Sequence, residues 1–195
     1  RVGFRGCELV VAPIEGGLDE TVRAALRELR KPPVLELPPL SVAGSLTLPA
    51  QGLRPADIGI VGGKAANFGV LRRKLPTNSP SPALAVTFDL WRQYLDQPSP
   101  VAGGGTLREA IARRLGGFAW PPDMAALQNA LAEVRGWFTD ATDFDPAQRA
   151  AVLGALQAAG FAPDRNIRFR SSTNVEDSER FSGAGLYDSY SGCLA

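Results

Sequence analysis

The sequence predicts an α+β fold, a mainly antiparallel sheet packed by helices. Three observations predict it. Short apolar runs of strand-like composition, "ELVVAPI" at 8–14, "LAVTF" at 84–88 and "IRFR" at 167–170, recur between turn residues. Between them lie longer stretches with apolar residues every three or four positions. The chain has 195 residues, 45% of them hydrophobic and 21% charged, enough to bury one substantial core.

The elements follow in order. "ELVVAPI" reads as a strand. Asp19 is placed to cap a helix running to Arg30, with Val22, Ala25, Leu26 and Leu29 on its inner face. Pro32, Pro33, Pro38 and Pro39 then flank a short strand from Val34 to Leu37. Residues 38–56 are rich in Pro, Ser, Gly and Leu, which suits a connection. Composition shifts near residue 57, so the expected division is an N-terminal segment, 1–50, possibly the end of a preceding domain, and a main unit, 51–195. "GGKAANFGVLRRKL" enters a helix through glycines, with Ala65, Phe68, Leu71 and Leu75 inward. "DLWRQYL" begins another. Gly103, Gly104 and Gly105 form a joint before a capping-box pair, Thr106 and Glu109, and a helix with Leu107, Ile111 and Leu115 inward. Pro121 and Pro122 start a long helix whose core stripe is Met124, Leu127, Leu131, Val134 and Phe138. Asp145 and Pro146 start the next, and Gly160 ends it. "LAVTF", "NIRFRSS" and "LYDSYSG" are expected in one sheet.

Composition excludes several kinds of chemistry. The net charge of +1 implies no general attraction to nucleic acid or to an anionic membrane. No apolar run approaches the roughly 20 residues that span a bilayer. The N-terminus lacks a signal-peptide pattern. Cys7 and Cys193, the only cysteines, have no paired-motif spacing and read as reduced thiols in a cytoplasmic protein. There is no histidine, so Ser-His-Asp and Cys-His catalysis, His-ligated zinc and a phosphohistidine on this chain are all excluded. Chemistry must run on Lys, Arg, carboxylates, backbone amides or a bound metal. Lysine occurs only at 31, 64 and 74.

Two stretches carry the functional signal. In "IRFRSSTNVED", Arg168 and Arg170 alternate with Ile167 and Phe169, so a strand sends both guanidiniums to one face and the apolar pair to the core. A guanidinium is a planar fork of donors that suits phosphate or carboxylate oxygens. The following "FSGAGLYDSY" offers Gly183 and Gly185, which let backbone amides approach an anion closely. The same residues are compatible with a solvated surface hairpin and an ordinary turn. The second stretch, "VGGKAAN", puts Lys64 beside Gly62 and Gly63 at a helix start, where amides and a point charge favour anions. It is not a P-loop: Ile58 stands where the first glycine belongs, and Ala65 where the metal-binding hydroxyl belongs. Nor is "GAGLYD" a dinucleotide fingerprint, since Asp188 replaces the third glycine.

Taken together, "VGGKAANFGVL", "PALAVTFDLWRQYL" and "RFRSSTNVEDSERFSGAGLYDSY" resemble, in that order, the N-terminal ATP-binding region of the pyruvate phosphate dikinase and phosphoenolpyruvate synthase family. Its relatives include the glucan, water dikinases. The resemblance covers roughly residues 57–195. It implies the N-terminal lobe of an ATP-grasp fold, with the second lobe absent from this chain. It also implies a phosphotransferase that passes phosphoryl from ATP to a histidine on another domain, and then to a small acceptor or glucan. Lys64 and Arg170 match the family's phosphate-contacting, catalytically essential cations. Gly63 and Ser171 adjoin them, and Gly183 and Gly185 match its phosphate loop. Glu176 and Asp177 match an acidic pair, read as partners holding the loop or Arg170. Residues 176–185 are expected to be mobile without nucleotide. ATP and Mg are the implied cofactors, with no metal ligands in this chain. The implied partners are the C-terminal lobe and the phosphohistidine domain of the same protein.

The sequence departs from the family where Ala83-Leu84 replaces Gly-Phe and where Ala65 replaces a glycine after the lysine. The chain is accordingly expected to be a domain of a larger protein, binding nucleotide weakly and catalysing nothing alone. Two other readings fit the residues: a non-catalytic interaction or regulatory module, and a ligase-type ATP-grasp enzyme.

Overall fold

The structure is a computed structural model that describes residues 2–5, 8–11, 17, 19–32, 34, 36–75, 77, 82–175, 181, 183 and 185–194. Among them it mixes helices with three separate two-stranded antiparallel sheets, which bears out the α+β class. It does not form the single sheet expected. "LAVTF" pairs with a strand from the connecting segment, and "IRFR" pairs with "SYSG".

Strands β1 (Val2–Arg5) and β2 (Glu8–Val11) form the first hairpin. Helix α1 (Glu20–Arg30) starts as expected: Asp19 accepts the Thr21 amide at 2.6 Å, and that bond lowers its carboxyl pKa. Its apolar face is not buried, because Val22, Ala25, Leu26 and Leu29 are all exposed. Periodicity marks the face that a partner would cover, but no described residue covers it. The expected strand from Val34 to Leu37 is absent among the described residues: 34, 36 and 37 join no ladder. The flanking prolines lack the N–H groups a ladder needs.

The segment read as a connection is built into the fold. Strand β3 (Thr47–Pro49) pairs with β4 (Leu84–Val86). Ser41 donates its amide to the Gly59 carbonyl at 2.7 Å. Ala43 and Gly44 donate theirs to the buried carboxylate of Asp89 at 2.9 and 2.8 Å. The Thr87 hydroxyl donates to the Ser45 carbonyl at 2.6 Å.

Two apolar clusters hold the helices. The first joins Leu53, Val61, Ala66 and Ala85, with Leu48, Ile58, Ile60 and Ala65 packed around them. It lies under α2 (Ile58–Val61) and α3 (Gly63–Lys74). The buried face of α3 carries Ala66 and Gly69, whereas Leu71 and Leu75 are exposed. Small size decides this. A Cβ on Gly69 would lie 2.5 Å from the Leu53 carbonyl oxygen and 2.7 Å from that of Ala50, so only glycine lets the helix seat there. Arg73 fastens the same turn by donating to the Gln51 and Leu53 carbonyls at 2.7 and 2.6 Å.

The second cluster joins Tyr94 and Leu95 of α4 (Phe88–Asp96) to Leu107 of α5 (Leu107–Leu115), with Val101, Ile111, Trp137 and Phe138 against them. The capping box of α5 forms as read: the Thr106 hydroxyl accepts from the Glu109 amide at 3.2 Å, and the Glu109 carboxylate accepts from the Thr106 amide at 2.9 Å. Helix α6 (Met124–Gly136) begins later than the proline pair suggested, because Asp123 accepts the Ala125 and Ala126 amides. Its inner face carries Ala130 and Val134, while Met124 is 59% and Leu131 49% exposed, so the expected stripe is only partly core. Helix α7 (Pro146–Ala158) has Asp145 and Gln148 as a capping box and Gly160, at φ +85°, beyond its end.

Candidate functional site

The site is built where α3 begins. Gly62 ends α2 through its amide, which donates to the Ile58 carbonyl at 2.9 Å, and it is also the residue before α3. Its backbone sits at φ +83° and ψ 166°, a region essentially reserved for glycine. Gly62 has no side chain with which to cap the helix. The cap comes from far along the chain. Ser172 Oγ accepts the Ala65 amide at 3.0 Å, 107 positions away, and the Thr173 carbonyl accepts the Gly63 amide at 2.9 Å. Asn174 extends the junction by donating to the Pro38 carbonyl at 2.5 Å. The approach is backbone on backbone: a Cβ on Gly62 would lie 2.5 Å from the Ser172 carbonyl carbon.

This junction draws the two sequence signals together. Lys64 is the second residue of α3 and is exposed. Arg170 is the last residue of β5 (Ile167–Arg170), also exposed, two positions before Ser172. Ser171 between them is half-buried. The Gly63 amide is engaged by Thr173, so Gly63 shapes the junction through that bond. Strand β5 pairs with β6 (Ser189–Gly192), with Arg170 opposite Ser189 and Arg168 opposite Ser191. The two arginines differ. Arg168 donates to the Ser191 hydroxyl at 3.0 Å, across the hairpin. Ile167 is buried as expected, but Phe169 is 44% exposed, so the apolar face of β5 is only partly core. Its register partner Tyr190 is exposed as well, so this short hairpin lies open on that face.

Gly183 and Gly185 belong to a turn in which the Leu186 amide donates to the Gly183 carbonyl at 3.1 Å. The turn leads into Ser189, the partner of Arg170. Gly183 is buried and Gly185 exposed, both at positive φ. Glu176 and Asp177 lie outside the described residues, as does most of the segment expected to be mobile. A surface hollow of about 400 Å³ lies elsewhere, lined by Val42, Leu46, Asp89, Arg92 and Gln93 among others, and includes none of these residues. The sequence reading missed Ser172 and Thr173. The available signal was a glycine pair before a helix with no capping side chain of its own.

A lysine at a helix start and an arginine at a strand end, beside one junction, are residue types that suit an anionic ligand. The family model described as pyruvate phosphate dikinase, AMP/ATP-binding domain, matches residues 58–193, more than half of the chain. The chain belongs to that family, and the match runs from α2 to β6 across every site residue named above. No curated protein matches it. This is an ATP-binding domain of a dikinase-type phosphotransferase family. Among the described residues, no helix is long and apolar enough to cross a membrane.

Proposed function

We propose that this domain holds MgATP for transfer of its terminal phosphoryl group to a histidine on another domain, with Lys64 and Arg170 gripping the phosphates. The junction of the α3 N-terminus with the Ser172–Thr173 segment carries the reading, because it brings the flanks of the two cations together across the sequence. Phosphoryl transfer depends mainly on positioning and on neutralising charge at the phosphate oxygens. A lysine supplies a compact point charge, and an arginine supplies a fork that can engage two oxygens. Ser171 and the backbone of the Gly183–Gly185 turn contribute donors in this reading. Mg adds charge neutralisation when bound, with its carboxylate ligands supplied by residues outside this chain. The acceptor histidine cannot lie on this chain, which has none. The protein then acts in the cytoplasm on a small acceptor or a glucan. We also propose that the domain begins ahead of residue 51, supported by the hydrogen bonds that tie Pro38, Ser41, Ala43 and Gly44 to later elements.

The test is isothermal titration of MgATP into the full-length protein. Each charge-assisted contact contributes about 1.5–3 kcal/mol, so Lys64→Ala and Arg170→Ala should each weaken binding roughly 10- to 150-fold. Both should keep the melting temperature nearly unchanged, because both side chains are exposed. Arg168→Ala should cost less, since its guanidinium is engaged by Ser191. Wild-type affinity in the Lys64 and Arg170 variants would refute the assignment.

A further inference from the structure

We infer that Ser172 is a positioning residue that sets Lys64 and Arg170 in mutual register without touching nucleotide itself; the inference rests on the reading that those two cations hold ATP. A helix leaves its first amides without intrahelical partners, and a side chain from the N-cap residue ordinarily accepts one of them. Gly62 holds the N-cap position of α3 and has no such group. Ser172 supplies the missing acceptor from the end of another element, at 3.0 Å from the Ala65 nitrogen. The neighbouring Thr173 carbonyl takes the Gly63 amide at 2.9 Å. The amides on both sides of Lys64 are thereby bound to the 172–173 segment. That segment is covalently two residues from Arg170, a spacing that leaves little slack. The absent Cβ of Gly62 allows the contact, since any side chain there would collide with Ser172 backbone at 2.5 Å. The Ser172 hydroxyl, beside the Thr173 carbonyl, therefore connects the base of the lysine to the base of the arginine.

A residue that only stabilised the fold would act independently of Lys64, whereas a positioning residue acts through it. A double-mutant cycle on the full-length protein separates these cases. Ser172→Ala should weaken MgATP binding about 5- to 10-fold, a part of the loss expected from removing either cation. Ser172→Thr keeps the hydroxyl and should restore affinity to within about 3-fold. In a Lys64→Ala background, Ser172→Ala should change affinity by less than about 2-fold. If the Ser172→Ala chain does not fold, Ser172→Cys enters the same cycle, since its sulfur is a weaker acceptor of similar size. Losses that multiply in the double variant, or a wild-type affinity in the hydroxyl-free single variant, overturn the positioning role and leave the ATP site intact. Failure of the wild-type protein to bind MgATP overturns the site reading and this inference with it.

Discussion

Replacing Gly62 by alanine tests the junction most directly. Two costs add. The backbone at φ +83° and ψ 166° is unfavourable for any residue with a Cβ, by about 1–3 kcal/mol. The new methyl would also sit 2.5 Å from both the carbonyl carbon and Oγ of Ser172, and 2.6 Å from its carbonyl oxygen. A flexible side chain could rotate away, but a carbonyl carbon cannot, so the 172–173 segment must move off the helix. That movement breaks the 3.0 Å bond to Ala65 and the 2.9 Å bond to Gly63, at about 0.5–1.5 kcal/mol each. The expected total is about 2–6 kcal/mol, against domain stabilities that typically lie at about 5–15 kcal/mol. Gly103→Ala is the matched control. Gly103 is also at positive φ, +64°, but nothing lies within 4 Å of its added Cβ, so it should cost only about 1 kcal/mol. Urea unfolding followed by circular dichroism gives both values from the shift in midpoint at constant slope. Equal losses in the two variants would mean that α3 and the Ser172 segment are not in contact, and the account of the site would fail with them.

Other outcomes follow from the packing and the surface charges. Leu107→Ala should cost about 3–5 kcal/mol, because that side chain is fully buried in the second cluster, whereas Leu131→Ala, 49% exposed, should cost under about 1 kcal/mol; similar losses in chemical denaturation would contradict the placement of α6. Arg108 donates to Asp96 at 2.5 Å, and that hydrogen bond holds the carboxyl below its ordinary 3.8. A lowered folded-state pKa means stabilisation that is complete above the unfolded value and lost as pH falls through the folded one. Asp96→Asn should therefore be less stable than wild type near neutrality, by no more than about 1 kcal/mol for so exposed a pair, and the two stability curves should converge below pH 3.8. A gap that persists at pH 2 would assign the loss to something other than the charge.

Local chemistry in the sequence was legible where it acts over a few residues. Asp19, Thr106 with Glu109, and Asp145 announce their helices because a capping side chain reaches only two or three positions ahead. The helix faces were less legible. Reading large apolar residues as core pointed to Leu71 on α3, Leu75 just past its end, and Met124 and Leu131 on α6, all of which are exposed. The buried positions are Ala66, Gly69, Ala130 and Val134. Val134 was on the expected stripe, but close approach also selects small residues, and a pattern weighted by side-chain size runs past Ala66, Gly69 and Ala130. Sheet partners were illegible for a different reason. The partner of β4 lies in a segment whose prolines and glycines look like a linker, and only three residue pairs hold the two together. Lys64 and Arg170 were singled out by motif resemblance, and the structure places both next to the α3 junction. Ser172 was not singled out: the glycine pair at the start of α3 signals a missing cap, but nothing local says that the acceptor lies 107 positions away.

The helix that carries Lys64 is held at two points by the absence of a side chain. At Gly69 it seats on the carbonyls of Ala50 and Leu53, and at Gly62 its start meets the backbone of Ser172. Both contacts fix main chain rather than side chain, and interiors packed this closely resist sliding. The main chain around Lys64 is therefore packed against both the first apolar cluster and the segment after β5. Its ammonium, at the tip of a long exposed side chain, still has reach. A phosphate chain that must be gripped and then released suits that combination. The lysine's main chain is held by the contacts at Gly62 and Gly69. Arg170, anchored at a strand end, supplies the second fixed base. What the fold contributes to the proposed chemistry is the distance between those two bases, and the Ser172–Thr173 junction, with the Ser172 hydroxyl in it, is where that distance is set.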